Sequence, residues 1–133
     1  GQRIDMSINV LLSVAAGGAF GAVGRYLVMS GVGHWLGTGF PYATLTVNII
    51  GSFILGAIIE IMALSWSPSP EIRAFIVVGV LGAFTTFSTF SLDTVALIER
   101  GAFLATVVYV SASVVACVVG LFAGMHLLRH VLA

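Results

Sequence analysis

The chain has 133 residues, of which 59% are hydrophobic and 8% are charged, and five arginines balance five carboxylates. A water-soluble fold of this composition would lack the polar side chains needed to cover its surface, so we predict an integral membrane protein. The absence of a basic face argues against nucleic acid as a partner. Cys117 is the only cysteine, which excludes an intrachain disulfide.

Four apolar runs are long enough to cross a bilayer as helices, for which about 20 residues are needed. We predict one all-α membrane domain covering residues 1–133, with spans at about 8–30, 43–64, 72–98 and 103–128. The first run resembles a secretory signal, but its length and its glycines favour a packed helix that is retained. The leading Gly1 suggests that residues 1–5 precede a natural start near Met6.

The linkers are short, so neighbouring spans are expected to form antiparallel hairpins. With four spans, one side of the membrane carries Arg3, Arg73 and Arg129, and the other carries Arg100 and, less clearly, Arg25. An insertion machinery that follows positive charge could place such a chain either way up. The arginines therefore leave both dual topology and one fixed orientation open.

The first and second spans each carry a polar residue where hydrocarbon is expected. Arg25 is the most deeply embedded cation, and it could extend to the interface or face a vestibule and attract anions. Asn48 lies four residues after Thr44 on the same helix face, and its amide must be bonded because an unsatisfied amide in hydrocarbon costs several kcal/mol. Asn48 either joins two helices or points into a pathway for an anion.

The third span contains the most unusual pattern, GVLGAFTTFSTFS at 79–91. Its three phenylalanines recur at every third position and fall along one side of a helix. Hydroxyl side chains lie among them, at Thr85, Thr86, Ser88, Thr89 and Ser91. This mixture is expected where a small polar solute crosses, whereas an isolated hydroxyl usually bonds back to its own i−4 carbonyl.

Gly79 and Gly82 precede these hydroxyls, and we predict that the third helix is broken near its middle. Local hydroxyls and a neighbouring subunit could satisfy the freed backbone groups. In the fourth span Tyr109, Ser113 and Cys117 repeat at every fourth position and form a second polar line. No nucleophile, base and orienting acid converge at a readable spacing, so we do not expect an enzyme.

Three motifs carry a family resemblance: GGAFGAVGR at 17–25, TLTVNIIGSF at 44–53 and GVLGAFTTFSTFS at 79–91. They resemble the Fluc fluoride channels, also called CrcB, and the match covers all four spans in order. The resemblance implies an antiparallel, dual-topology homodimer of four-helix subunits in the bacterial inner membrane. Each dimer would hold two pores that passively release fluoride from the cytoplasm.

The resemblance also assigns residues to the pore. It places the pore phenylalanines at Phe87 and Phe90, the pore asparagine at Asn48 and the hydroxyl track at Tyr109 and Ser113. We add Thr44, which shares the helix face of the asparagine, and we assign Arg25 to the vestibule. The helix break would offer the backbone carbonyls of Gly82 and Thr85, paired across the dimer axis, to a structural sodium ion.

The chain departs from the family pattern at three positions. Cys117 replaces a hydroxyl that many members have at the end of the fourth-span track, Ala43 replaces a glycine, and Asp93 replaces a longer glutamate. Two other classes stay open. A small proton-coupled multidrug transporter has a similar size but relies on an acid in the first span, and residues 8–30 contain none. A noncatalytic packing subunit would explain the glycines but not the hydroxyl and phenylalanine cluster.

Overall fold

The computed structural model describes residues 7–132, and every element in this part of the chain is helical. Arg3 and Met6, on which the orientation count and the expected start depend, lie outside the described residues. Four segments are long and apolar enough to cross a membrane, which confirms the predicted number of spans. They are Ile8–Leu36, Tyr42–Leu64, Pro70–Glu99 and Phe103–Leu132.

The first two spans are single α-helices, α1 (Ile8–Leu36) and α2 (Tyr42–Leu64). Helix α1 begins where the Ser7 hydroxyl accepts hydrogen bonds from the N–H groups of the first turn. It ends at Gly37, where a φ of 78° requires glycine. Helix α1 therefore continues well beyond the predicted end at residue 30, and the linker to α2 is correspondingly shorter.

The third span is one bent segment built from several pieces. It consists of α3 (Pro70–Arg73), a π-helix (Ala74–Leu81), α4 (Gly82–Phe84) and α5 (Phe87–Glu99). Between α4 and α5, Thr85 and Thr86 have extended backbone conformations, with ψ angles of 156° and 113°. The bend therefore lies at Thr85–Thr86, within the hydroxyl-rich stretch. The fourth span is the single helix α6 (Phe103–Leu132).

Glycines set the closest helix contacts. A Cβ atom at Gly17 would overlap the carbonyl oxygen of Phe75, and one at Gly21 would overlap that of Val80, so α1 lies against the backbone of the π-helix. Helices α2 and α6 approach in the same way, because a Cβ at Gly124 would overlap the carbonyl oxygen of Phe53. Small residues thus allow backbone-to-backbone packing, as is common between helices in membranes.

Helices α2 and α6 are also joined by charge. The Nε atom of Arg129 donates to Oε1 of the buried Glu60 at 2.7 Å. Much of the outer surface is apolar, with large side chains exposed on all four spans. That surface is suited to lipid, while the few buried polar groups are concentrated between α2, the third span and α6.

Candidate functional site

A cavity of about 460 Å³ lies between α2, the third span and α6. Helix α2 contributes Asn48 and Ser52, the bend contributes Thr85 and Thr86, and α6 contributes side chains from two successive turns. The remaining lining includes both phenylalanines of the predicted pore and several aliphatic residues. Four predicted pathway residues line this cavity: Asn48, Phe87, Phe90 and Ser113.

Asn48 binds the backbone at the bend through both ends of its amide. Its Nδ2 donates to the carbonyl oxygen of Thr86 at 3.1 Å, and its Oδ1 accepts from the Thr86 N–H at 2.8 Å. These two contacts fix which end of the amide is nitrogen, because a backbone N–H only donates and a carbonyl only accepts. The amide therefore links α2 to the third span, and its nitrogen carries a second hydrogen that this contact leaves available.

The bend changes the backbone hydrogen bonding of its neighbours. In an uninterrupted α-helix the N–H of Thr86 would donate to the carbonyl of Gly82, and the N–H of Thr89 to the carbonyl of Thr85. Here the Thr86 N–H donates to Asn48, and the Thr89 N–H donates to Oγ1 of Thr86 at 3.1 Å. The carbonyls of Gly82 and Thr85 have thus lost their helical N–H partners. These are the two carbonyls that the resemblance assigns to sodium.

Several hydroxyls of the cluster are already used in hydrogen bonds within the third span. Thr85 donates to the carbonyl of Leu81 at 3.0 Å and Ser91 donates to that of Phe87 at 3.1 Å, so these two bond back to the preceding turn. The hydroxyl of Thr86 caps α5 by accepting the Thr89 N–H. Several hydroxyls in this stretch therefore satisfy the helix itself.

Ser113 differs from the other hydroxyls. Its residue surface is only 7% exposed, and its Oγ is buried with no hydrogen-bond partner in residues 7–132. A buried hydroxyl without a partner is rare, and it indicates a place where water or a ligand completes the bonding. Because Ser113 also lines the cavity, we place that polar occupant between α6 and the bend.

A row of aromatic rings leads from the cavity to the side chain of Tyr109. The rings of Phe87 and Phe90 are 5.4 Å apart between centroids, and those of Phe90 and Tyr109 are 5.3 Å apart. Phe90 is therefore packed between two rings. Phe87 is 79% exposed and lies at the outer margin of the cavity.

Thr44 and Tyr109 meet at Asp93, which sequence reasoning left without a partner. Oδ2 of Asp93 accepts from the Thr44 hydroxyl at 2.6 Å and from the Tyr109 hydroxyl at 3.1 Å. Both hydroxyl-bearing residues are buried, and neither lines the 460 Å³ cavity. Spacing along the sequence could not reveal this cluster because its members come from three different helices.

Arg25 lies beside the bend. Its Nε donates to the carbonyl oxygen of Ala83 at 3.1 Å, and the side chain is partly buried. A straight helix would offer this carbonyl the N–H of Phe87, so the arginine supplies a donor at the bend. Asn48 and Arg25 thus approach the same bend from two different helices.

These features define a small multi-pass membrane protein with a largely apolar cavity, containing a few polar groups, beside a bend in one of its helices. A family model described as "CrcB-like protein, Camphor Resistance (CrcB)" matches residues 12–125. The chain belongs to this CrcB family, as the sequence motifs predicted.

Similar proteins extend this finding over nearly the whole chain. A protein of Rhodospirillum centenum named "Fluoride-specific ion channel FluC" is 56% identical over 95% of this chain and 100% of its own length. A protein of the same name from Agrobacterium fabrum is 50% identical over 92% of this chain and 98% of its own length. Another from Nitrobacter winogradskyi is 48% identical over 93% of this chain and 98% of its own length.

Proposed function

We propose that this protein is a fluoride-selective passive channel that lets fluoride leave the cytoplasm, and that it is not an enzyme. The observation that carries the proposal is the 56% identity, over the full length of the relative, to a protein named as a fluoride-specific ion channel. Four membrane-length helices and bacterial relatives fit a multi-pass protein of the bacterial inner membrane. The cavity supplies the groups that such a channel needs.

Fluoride is small and strongly hydrated, so a pore must replace its water with good donors. The second hydrogen on Nδ2 of Asn48 and the hydroxyl of Ser113 are two such donors on the cavity. Phe87 and Phe90 contribute the weakly positive edges of their rings, which attract an anion without the full charge that would hold it in place. This set favours both binding and departure, as conduction requires.

We place Thr44 and Tyr109 on the same route, beyond Phe90. Both hydroxyls donate to Asp93, so an arriving fluoride would compete with this carboxylate for donors that are already used. The packing of Phe90 against Tyr109 makes this cluster continuous with the cavity. Arg25 would raise the local concentration of anions at a vestibule, in addition to supporting the bend.

The proposed working unit is an antiparallel, dual-topology homodimer with two pores, surrounded by lipid. Our interpretation of the bend at Thr85–Thr86 is that it is the helix break through which two copies meet. Phe87 and Gly82, on either side of the bend, are exposed in the single chain. A second copy would cover this face and close the side of the cavity that one chain leaves open.

A structural sodium ion is proposed on the axis of that dimer. Hard cations take oxygen ligands, and the carbonyls of Gly82 and Thr85 have lost the helical N–H partners described above. Two antiparallel copies would present these carbonyls twice. The ion would hold the two bends together, so its expected contribution is to assembly.

Fluoride efflux from liposomes tests the channel proposal. Purified protein in potassium fluoride vesicles should release fluoride once a potassium ionophore is added, and chloride should leave far more slowly. Empty vesicles provide the baseline. Equal rates for the two anions, or no flux from monodisperse protein, would favour the packing subunit, whereas flux that requires a proton gradient would favour the proton-coupled transporter.

Labelling in intact cells tests the dimer. In a Cys117→Ser background, a cysteine added after the last residue would be the only thiol in the chain. A maleimide that does not cross the membrane should label about half of the copies if the orientations are equally populated. Cells opened before labelling give the total, and complete or absent labelling in intact cells would contradict dual topology.

A further inference from the structure

Cys117 belongs to the cavity in a way that its position in the sequence did not reveal. Its side chain is half-buried and lines the cavity together with Ser52, Val114 and Val118. Ser113, one helical turn before it on α6, lines the same space and has a buried hydroxyl without a partner in residues 7–132. A polar occupant is therefore expected within one turn of the thiol.

We propose that Cys117 is a covalent modification site on the ion pathway, at which a small thiol-directed electrophile stops fluoride flux. The inference rests on the proposed channel function. The hydroxyl of Ser113 needs a polar partner in the same cavity, and the half-buried thiol leaves part of its surface open to a small water-soluble reagent that enters that cavity. A group added to the sulfur would stand in the space that the ion uses.

The reaction with methyl methanethiosulfonate illustrates the chemistry. The Cys117 thiolate attacks the thiomethyl sulfur of the reagent, and a new disulfide bond forms between them. The sulfur–sulfur bond of the reagent breaks, and methanesulfinate leaves with the electron pair. The proton of the original thiol goes to water, so the reaction is faster at alkaline pH, where more thiolate is present.

The product differs from the free thiol in two respects. The added thiomethyl group fills part of the cavity, and it replaces a weak S–H donor by a group that donates no hydrogen bond. Both changes oppose an anion that needs donors. A reducing agent reverses the reaction by releasing methanethiol, so the block should be reversible.

The test compares wild-type protein with Cys117→Ser in fluoride-loaded liposomes. Treatment should add one thiomethyl group to the wild type by mass spectrometry and lower its fluoride flux by about tenfold, corresponding to a higher barrier. Dithiothreitol should restore the flux. Cys117→Ser has no thiol left, so its own flux, measured before and after treatment, should not change on treatment whatever its starting value.

A thiol at a different position on α6 tests whether the loss of flux depends on where the modified cysteine lies. In the Cys117→Ser background, Val115→Cys places a thiol on α6 at a position that is 61% exposed and does not line the cavity. Its modification should leave fluoride flux unchanged. Wild-type protein that is fully modified and still conducts, or that resists modification, would overturn the inference, whereas untreated protein without flux would overturn the channel proposal itself.

Discussion

The two halves of the third span are held in different ways. Before the bend, the π-helix Ala74–Leu81 lies against α1 through glycine contacts, backbone to backbone. After the bend, α5 is held by side chains, with Asn48 at its first turn and Asp93 binding two hydroxyls. One half of the span is therefore fixed by shape, and the other half by a few specific hydrogen bonds that also face the proposed pathway.

Asn48→Asp should have the largest effect, because it acts on the half that is held by hydrogen bonds. The carboxylate can accept the Thr86 N–H but cannot donate to the Thr86 carbonyl, and it brings a negative charge to the cavity. We expect fluoride flux to fall roughly hundredfold, because a negative charge beside the cavity repels anions.

Asn9→Asp is the matched control, since Asn9 is exposed near the start of α1. Flux from liposomes should be compared at equal amounts of monodisperse protein. Normal conduction by Asn48→Asp would mean that the asparagine only joins α2 to the third span.

Gly21→Ala addresses the half that is fixed by shape. The added Cβ would overlap the carbonyl oxygen of Val80, so the π-helix would have to move away from α1. Overpacking of this kind destabilises by about 1–3 kcal/mol, and we expect a lower melting temperature in detergent.

Gly18→Ala serves as the control for this change, because a Cβ at Gly18 meets no atom within 4 Å. Its melting temperature should stay the same or rise slightly, since alanine favours helix by about 1 kcal/mol over glycine. Equal melting temperatures for Gly18→Ala and Gly21→Ala would contradict the tight contact.

Phe87→Ile and Phe90→Ile test what the aromatic rings contribute in the half of the third span that follows the bend. Isoleucine keeps apolar bulk but removes the ring edge, so flux should fall about tenfold if the edges stabilise the anion. Methionine is flexible and polarisable and should be tolerated better. Phe84, whose ring packs near Gly24 and Gly51, provides the comparison residue, because its replacement should affect stability more than flux. Unchanged flux in both isoleucine variants would show that the rings are filler.

Tyr109→Phe should have the smallest effect. It removes one of two hydroxyls that donate to Asp93 while it keeps the ring that packs on Phe90. A hydrogen bond to a charged group contributes about 1.5–3 kcal/mol to stability. The Thr44 hydroxyl still donates to the Asp93 carboxylate in this variant. We therefore expect fluoride flux to decrease only a few-fold. Thr44→Val tests the other donor, and a larger loss in the double variant than in either single one would identify both hydroxyls as part of the route.

The span pattern and the family were predictable from sequence because they depend on local features. Twenty apolar residues identify a membrane helix wherever they occur, and the motif at 79–91 combines residues that hydrocarbon disfavours. The sequence also indicated that the Asn48 amide must be bonded, although it left open whether the partner was a helix or an ion.

The partners themselves could not be predicted, because they join residues far apart in the chain. The amide of Asn48 contacts Thr86, and Arg25 contacts Ala83, through geometry that only the packed bundle defines. Asp93 was noticed only as a shorter acid than the glutamate of the family pattern, yet its two hydroxyl donors come from α2 and α6. Among the glycines of the first span, Gly17 and Gly21 make tight contacts and Gly18 makes none, a difference that the sequence alone does not reveal.

The double hydrogen bond between Asn48 and Thr86 has a consequence for biogenesis. During synthesis α2 emerges from the ribosome before the third span, so the amide is already in the bilayer when the two extended threonines arrive. Without it, an N–H and a carbonyl of the bend would be left unsatisfied within the membrane-spanning bundle, where each such group costs several kcal/mol. The order of the helices along the chain therefore supplies a docking group in advance, and loss of that amide should make the nascent third span a target for membrane quality-control proteases.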